Sequence, residues 1–181
     1  MFDPTNGVVF DLTEGAVRPN GAERSVLVPA EALGRLTEFL DIEAARALGH
    51  AIGTSAGSQV AAAFGGAEGA NAASLQDLTE QLAGRLALQG YGVLSTETWG
   101  KTLVVVLENS PLREGDVVAA LVEGLFAAAT GRSVRALVID AEGPGLRVLV
   151  GGDAAIDRAR RLLASGNSFS GLMRALVGQP E

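Results

Sequence analysis

YGVLSTETWGKTLVVVLENSPLREGDVVAALVEGLFAAATG, residues 91–131, carries the clearest structural signal in the chain. A polar-flanked strand near Val93–Thr98 meets a tight turn at Trp99-Gly100-Lys101, and a second strand follows near Thr102–Glu108. Its centre, Leu103-Val104-Val105-Val106-Leu107, lacks the alternation of a half-exposed strand. Both faces should be covered, as in the middle of a sheet with helices packed on it. Asn109-Ser110-Pro111 breaks the strand. An amphipathic helix then lines up Val118, Leu121, Val122, Leu125 and Ala129 and stops at Gly131.

The same layout recurs downstream. Val134–Asp140 and Leu146–Val150 read as strands joined by a turn at Glu142-Gly143-Pro144-Gly145. Asp153 should cap the next helix, which carries Ile156, Ala159 and Leu163 and ends at Gly166. A last short helix, from about Ser168 to Val177, places Phe169, Leu172, Met173 and Leu176 on one side. Upstream, Val8–Leu12 and Ser25–Val28 read as short strands around the turn-rich segment Thr13–Ala22, with Pro19, Asn20 and Gly21. Pro29 opens a long helical stretch. Its apolar stripe runs Leu33, Leu36, Leu40, Ala44, Ala47, Leu48, Ala51 and Ile52, continues through Val60 and Phe64, and has a candidate break at Asp41. Gly65–Ala73 reads as a loop. Ser74 and Asp77 then start a capped helix with Leu75, Leu78, Leu82 and Leu86 on one face.

This order predicts an α+β domain: an antiparallel sheet of two hairpins packed against long helices, with an N-terminal strand pair and two C-terminal helices. Residues 1–29 form a strand arm, 30–152 the α+β core and 153–181 a helical extension packed on it, in one globular domain.

Composition narrows the function. The 181 residues are 48% hydrophobic, 19% charged and only 4% aromatic, so Val, Leu and Ala must build the core. A net charge of −7 argues against nucleic acid and anionic membrane surfaces as partners. The absence of cysteine excludes disulfides, thiolate zinc sites and cysteine catalysis. The near-uncharged run 117–130 is interrupted by Glu123 and falls short of the roughly 20 residues that span a bilayer. The chain opens without a basic region followed by an apolar one, so a cytoplasmic protein without membrane insertion is expected.

No set of nucleophile, base and oxyanion donors can be assembled, so no catalytic, cofactor-binding or metal residue is assigned and no cofactor is expected. Gly100-Lys101-Thr102 resembles the end of a phosphate loop but lies between two strands, which makes it a hairpin turn. His50, the only histidine, reads as a surface residue. Asp140 and Glu142 form a carboxylate pair beside a turn, more simply a solvated rim than an acid–base or cation site. Gly49, Gly53 and Gly57, four residues apart, share a helix face where another backbone can approach closely. With Ile52 and Val60 they form either a dimer contact or a packing face inside the monomer. Trp99, Phe169, Leu172, Met173 and Leu176 are the candidate partner surface. The alternative is that they fold back on their own domain.

From about Leu48 to Leu149 these pieces resemble the 4-vinyl-reductase-type small-ligand-binding domain, which shares its fold with core subunits of the TRAPP vesicle-tethering complex. The resemblance rests on Leu48-Gly49-x-x-x-Gly53-x-x-x-Gly57, on Gly90-Tyr91-Gly92 entering a strand, and on Glu108-Asn109-Ser110-Pro111 closing the next. Glu123-Gly124-Leu125, Thr130-Gly131-Arg132 and the final strand pair complete it. The family's last hairpin commonly carries cysteines; residues 140–145 here have none, which removes any metal or redox role tied to those thiols. The resemblance implies a domain that dimerises through its helices and either binds a small apolar ligand or serves as a scaffold. The primary expectation is a non-enzymatic homodimeric scaffold or regulatory module for another protein, such as a small GTPase or a polarity, motility or trafficking factor. The alternative is a sensor holding a small apolar ligand between helices and sheet.

Overall fold

The computed structural model describes residues 7–19, 24–100, 102–141, 143 and 145–177. The chain begins with a hairpin of β1 (Val8–Asp11) and β2 (Ala16–Pro19), with Val9 opposite Arg18. Its loop is fixed by the Asp11 carboxylate, which accepts from the amides of Thr13 (2.9 Å) and Glu14 (3.0 Å), and by Gly15 at φ 59°. The second strand is therefore Ala16–Pro19 and not Ser25–Val28. Ser25 makes a single bridge, its amide donating to the Val17 carbonyl at 2.7 Å. Asn20 and Gly21 of the expected turn lie outside the described residues.

Helix α1 (Ala30–Thr37) follows Pro29, and α2 (Ile42–Ala63) starts at a true break. There Asp41 is the N-cap, its carboxylate accepting from the Ala44 amide at 2.8 Å. The expected loop over Gly65–Ala73 contains a one-and-a-half-turn helix, α3 (Ala67–Ala72). Its small residues let Ala70 bury against the core, and Asn71 donates to the Ala67 and Thr130 carbonyls at 2.9 and 2.6 Å. Helix α4 (Leu75–Leu88) is capped by Ser74, which accepts from the Asp77 amide at 3.0 Å. Leu78, Leu82 and Leu86 are buried, whereas Leu75 points to solvent.

The remaining elements are β3 (Val93–Trp99), β4 (Thr102–Glu108), α5 (Gly115–Thr130), β5 (Arg135–Asp140), β6 (Gly145–Gly151), α6 (Asp153–Ala164) and α7 (Phe169–Val177). The sheet is antiparallel throughout in the order β3-β4-β6-β5. The uniformly apolar β4 is a central strand, covered on both faces. Val105 and Leu107 join the main core with Leu82, Leu86, Leu121 and Leu125. Val104 joins a second core with Ile139, Leu149, Ile156, Leu172 and Met173, under α6 and α7. Asp153 is the first residue of α6 rather than its cap. Gly152 occupies the N-cap, and the Asp153 carboxylate instead receives Arg135 Nη1 at 3.0 Å.

Helix α5 is apolar on almost every side because it lies between α2 and the sheet. Asp116 in its first turn reaches solvent, and Glu123 is the charged residue buried within it, 7% exposed. This carboxylate is satisfied by the Ala136 amide (2.9 Å), Arg135 Nε (3.2 Å) and the Arg46 guanidinium, so the buried charge is paired and hydrogen-bonded. That hydrogen bond to Glu123 holds the Arg135 guanidinium above the usual arginine range.

The buried face of α2 departs from the expected stripe of Ala44, Ala47, Leu48, Ala51 and Ile52. Ala47 and Ala51 are exposed, and the face that enters the core is Ala45, Gly49, Gly53, Ala56, Gly57 and Val60. A Cβ on Gly49, Gly53 or Gly57 would run into the carbonyl oxygens of Val117, Leu121 and Leu125, one turn apart along α5. In return, Gly124 of α5 faces the His50 carbonyl, which a Cβ would approach to 2.6 Å. The glycine stripe is thus covered by α5 of the same chain. Because backbone rather than side chain opposes it, Gly53→Ala should cost about 2–3 kcal/mol. Thermal denaturation should fall by roughly 5–10 °C, and an unchanged melting point would refute the close approach.

Candidate functional site

The close α2–α5 packing leaves the adjoining flank of α2 free to form a wall. Ala51, Ile52 and Ser55 stand on that flank, beside the C-terminal end of α4. There the chain turns sharply: Gly90 takes φ 79°, and the Tyr91 amide donates back to the Leu86 carbonyl at 2.9 Å. The turn brings Leu88, Gln89 and Tyr91 to the same cavity. The opposite wall comes from the arm, through Val8, Val17, Pro19, Ser25, Val26 and Leu27. The volume is about 360 Å³, open to solvent on one side and within the range of small-molecule sites.

This lining has a distinct chemistry. Among the described residues no Asp, Glu, Lys, Arg or His contributes to it. Hydrogen-bonding capacity comes from the Tyr91 phenol, the Gln89 amide and the hydroxyls of Ser25 and Ser55. Burial pushes the Tyr91 phenol up from its ordinary value near 10, so at neutral pH it is an uncharged donor and acceptor. A second cavity of about 370 Å³ lies between α1 and the segment before α5. It is lined by Glu31, Arg35, Glu38, Arg113 and Glu114, and Arg35 is held by Glu31 at 2.7 Å. That surface is a solvated, charged groove of different character.

The residues singled out from sequence fall in three places. Gly49, Gly53, Gly57 and Val60 lie in the α2–α5 contact, while Ile52 is half-buried against the main core and also lines the apolar cavity. Leu172 and Met173 are fully buried in the second core, with Phe169 and Leu176 packed beside them. They are therefore not a partner surface. A helix of nine residues cannot stand alone, so it docks on its own sheet. Trp99 remains 41% exposed, packed edge-on against Phe169 with ring centroids 5.9 Å apart. Arg147 lies over the Phe169 ring, 5.1 Å from its centroid, and pairs with Asp140 (3.0 Å) and Glu97 (3.5 Å). Asp140 thus belongs to a structural ion pair. Glu142, its expected partner, and Lys101 of the hairpin turn lie outside the described residues. His50 is exposed, its Nδ1 3.3 Å from the Thr54 hydroxyl.

Of the cavity residues, Ile52 alone was among the site candidates drawn from sequence, and there as part of a packing or dimer face. A usable signal was present in Ser25-Val26-Leu27-Val28, an apolar segment with no partner strand of matching pattern. Its meaning depended on the distance to α2 and α4, which no local pattern contains.

No protein-family model matches the chain, and no curated protein matches it. Among solved structures, the chain is similar to the phenol-responsive sensory domain of the transcription activator PoxR, determined with phenol. The two share 19% identity with a TM-score of 0.59, over 97% of this chain and 93% of that one. At that identity the likeness defines the fold, a 4-vinyl-reductase-like α+β domain.

Tyr91 is the only tyrosine, so its ionisation can be followed by ultraviolet absorbance. The midpoint should lie above 10, because burial favours the neutral phenol. The unfolded chain then loses this proton first as pH rises. The contribution to stability is full below the unfolded value and is lost as pH climbs through the folded one. A midpoint at or below 10 would contradict the placement of Tyr91.

Proposed function

We propose that this domain binds a small, predominantly apolar molecule in the cavity between the arm and the α2–α4 junction, and acts as a ligand-responsive module without catalysing a reaction. One observation carries the reading: an apolar cavity of about 360 Å³, free of ionised side chains among the described residues, with the half-buried Tyr91 phenol and the Gln89 amide in its lining. The likeness in fold to a phenol-responsive sensory domain supports this function over a scaffold for a small GTPase or trafficking factor. No helix among the described residues is long and apolar enough to cross a membrane, which is consistent with a cytoplasmic protein.

A second reading concerns assembly. Val9, Phe10, Leu12, Val26, Leu27, Val28, Leu36, Phe39 and Ile42 are all large apolar residues that face solvent, and they cluster in the N-terminal quarter of the chain. This concentration favours association through the arm and α1, most simply with a second copy. The glycine stripe of α2 is already occupied and would not be the contact. Light scattering should give twice the chain mass, and Phe39→Asp should halve it. A monomer at high micromolar concentration would remove this reading.

Ligand binding is tested by calorimetry with phenol, cyclohexanol and toluene. Ile52→Trp fills the cavity and should weaken any of them about tenfold or more, equivalent to about 1.4 kcal/mol, with the circular dichroism spectrum retained. Binding unaffected by this change would place the ligand elsewhere.

A further inference from the structure

The cavity is not carved from one body. Half of its lining belongs to the helical core, through Ala51, Ile52, Ser55, Leu88, Gln89 and Tyr91; the other half belongs to the arm. The two halves are held very differently. The core half is fixed by the α2–α5 contact and by the α4 terminus. The arm half is a hairpin paired to itself, and a two-stranded hairpin alone is marginally stable in water. Ser25 is tied to it by one backbone bridge, and residues 26–29 belong to no helix or strand. Val26 and Leu27 line the cavity although 79% and 71% exposed, so the arm wall is thin and solvent-facing.

We propose that the arm is the ligand-responsive element of the domain: a molecule in the cavity bridges core and arm, and its binding fastens residues 24–28 onto α2 and Tyr91. This rests on the reading that the cavity binds a ligand. A site whose walls come from two bodies is complete only when both are docked. Ligand affinity and arm docking are then linked, and the linkage is reciprocal. The apolar side chains of Val26 and Leu27 gain cover from the occupant, which supplies the differential contact that such a coupling requires. The surface the arm presents to solvent, including Val9, Phe10 and Val28, is thereby placed under ligand control.

The test combines calorimetry with hydrogen exchange, using phenol, cyclohexanol and toluene as probes. At about ten times the measured Kd, arm opening that requires ligand release should slow about tenfold. The amides of residues 25–28 should show that slowing while those of α7 do not. In the reciprocal arm, Val26→Asp and Leu27→Asp should each weaken the probe about tenfold or more. Both positions are solvent-facing, so the melting point should stay close to that of the parent. Probe binding with unchanged arm exchange, or with unchanged affinity in both aspartate variants, would overturn the coupling and leave the ligand site standing. Failure of all three probes to bind would overturn the ligand reading and the coupling with it.

Discussion

Everything in this fold is arranged around the approach of α2 to α5, backbone against backbone. Three glycines on one helix meet three successive carbonyl turns of the other, and Gly124 returns the contact. With aromatics scarce, the protein gains density from proximity rather than from large rings. The approach also aligns the layers. Helix α5 is pressed between α2 and the sheet, so it is apolar nearly all round. Its buried carboxylate, Glu123, ties α2 through Arg46 to β5 through Arg135 and the Ala136 amide. The same approach turns Ala51, Ile52 and Ser55 toward the arm, so the packing that stabilises the core also defines the wall of the cavity.

The sheet separates two different surfaces. On one side lie the main core, the apolar cavity and the arm. On the other, α6 and α7 seal the second face of β4 with Ile156, Leu172 and Met173. Trp99, Phe169 and Arg147 close the edge of that seal with an aromatic edge contact, a cation over a ring and two ion pairs. This cluster holds chemically conspicuous residues of the chain, and the contacts described for it are made within the chain. The less conspicuous side, with Val, Leu, Ser, Gln and one Tyr in its lining, is the one proposed to bind a ligand.

The two hairpins of the four-stranded sheet, the covered central strand, the helix break at Asp41 and the C-terminal helices were legible in sequence, because each is a local matter of periodicity or capping. The family resemblance agreed with the architecture. Other local readings failed: Ser25–Val28 is not the second arm strand, Asp153 is not the α6 cap, and two more failed for clear physical reasons. The α2 stripe was drawn through Ala44, Ala47, Leu48, Ala51 and Ile52, whereas the buried face is Ala45, Gly49, Gly53, Ala56, Gly57 and Val60; of the two readings of the glycines, dimer contact or internal packing, the second holds. Residues 67–72 looked like a loop, but tertiary burial of Ala70 and the Asn71 contacts hold a short helix there. The cavity was almost invisible, since its two walls lie up to eighty residues apart and neither carries a catalytic or metal-binding pattern.

Amide chemical-shift mapping during titration with a small apolar compound such as phenol tests the central claim most directly. Shifts confined to residues 25–28, 51–55 and 88–91 are the predicted result. Shifts centred on Trp99 and Phe169, or on the groove at Glu31 and Arg35, would contradict it.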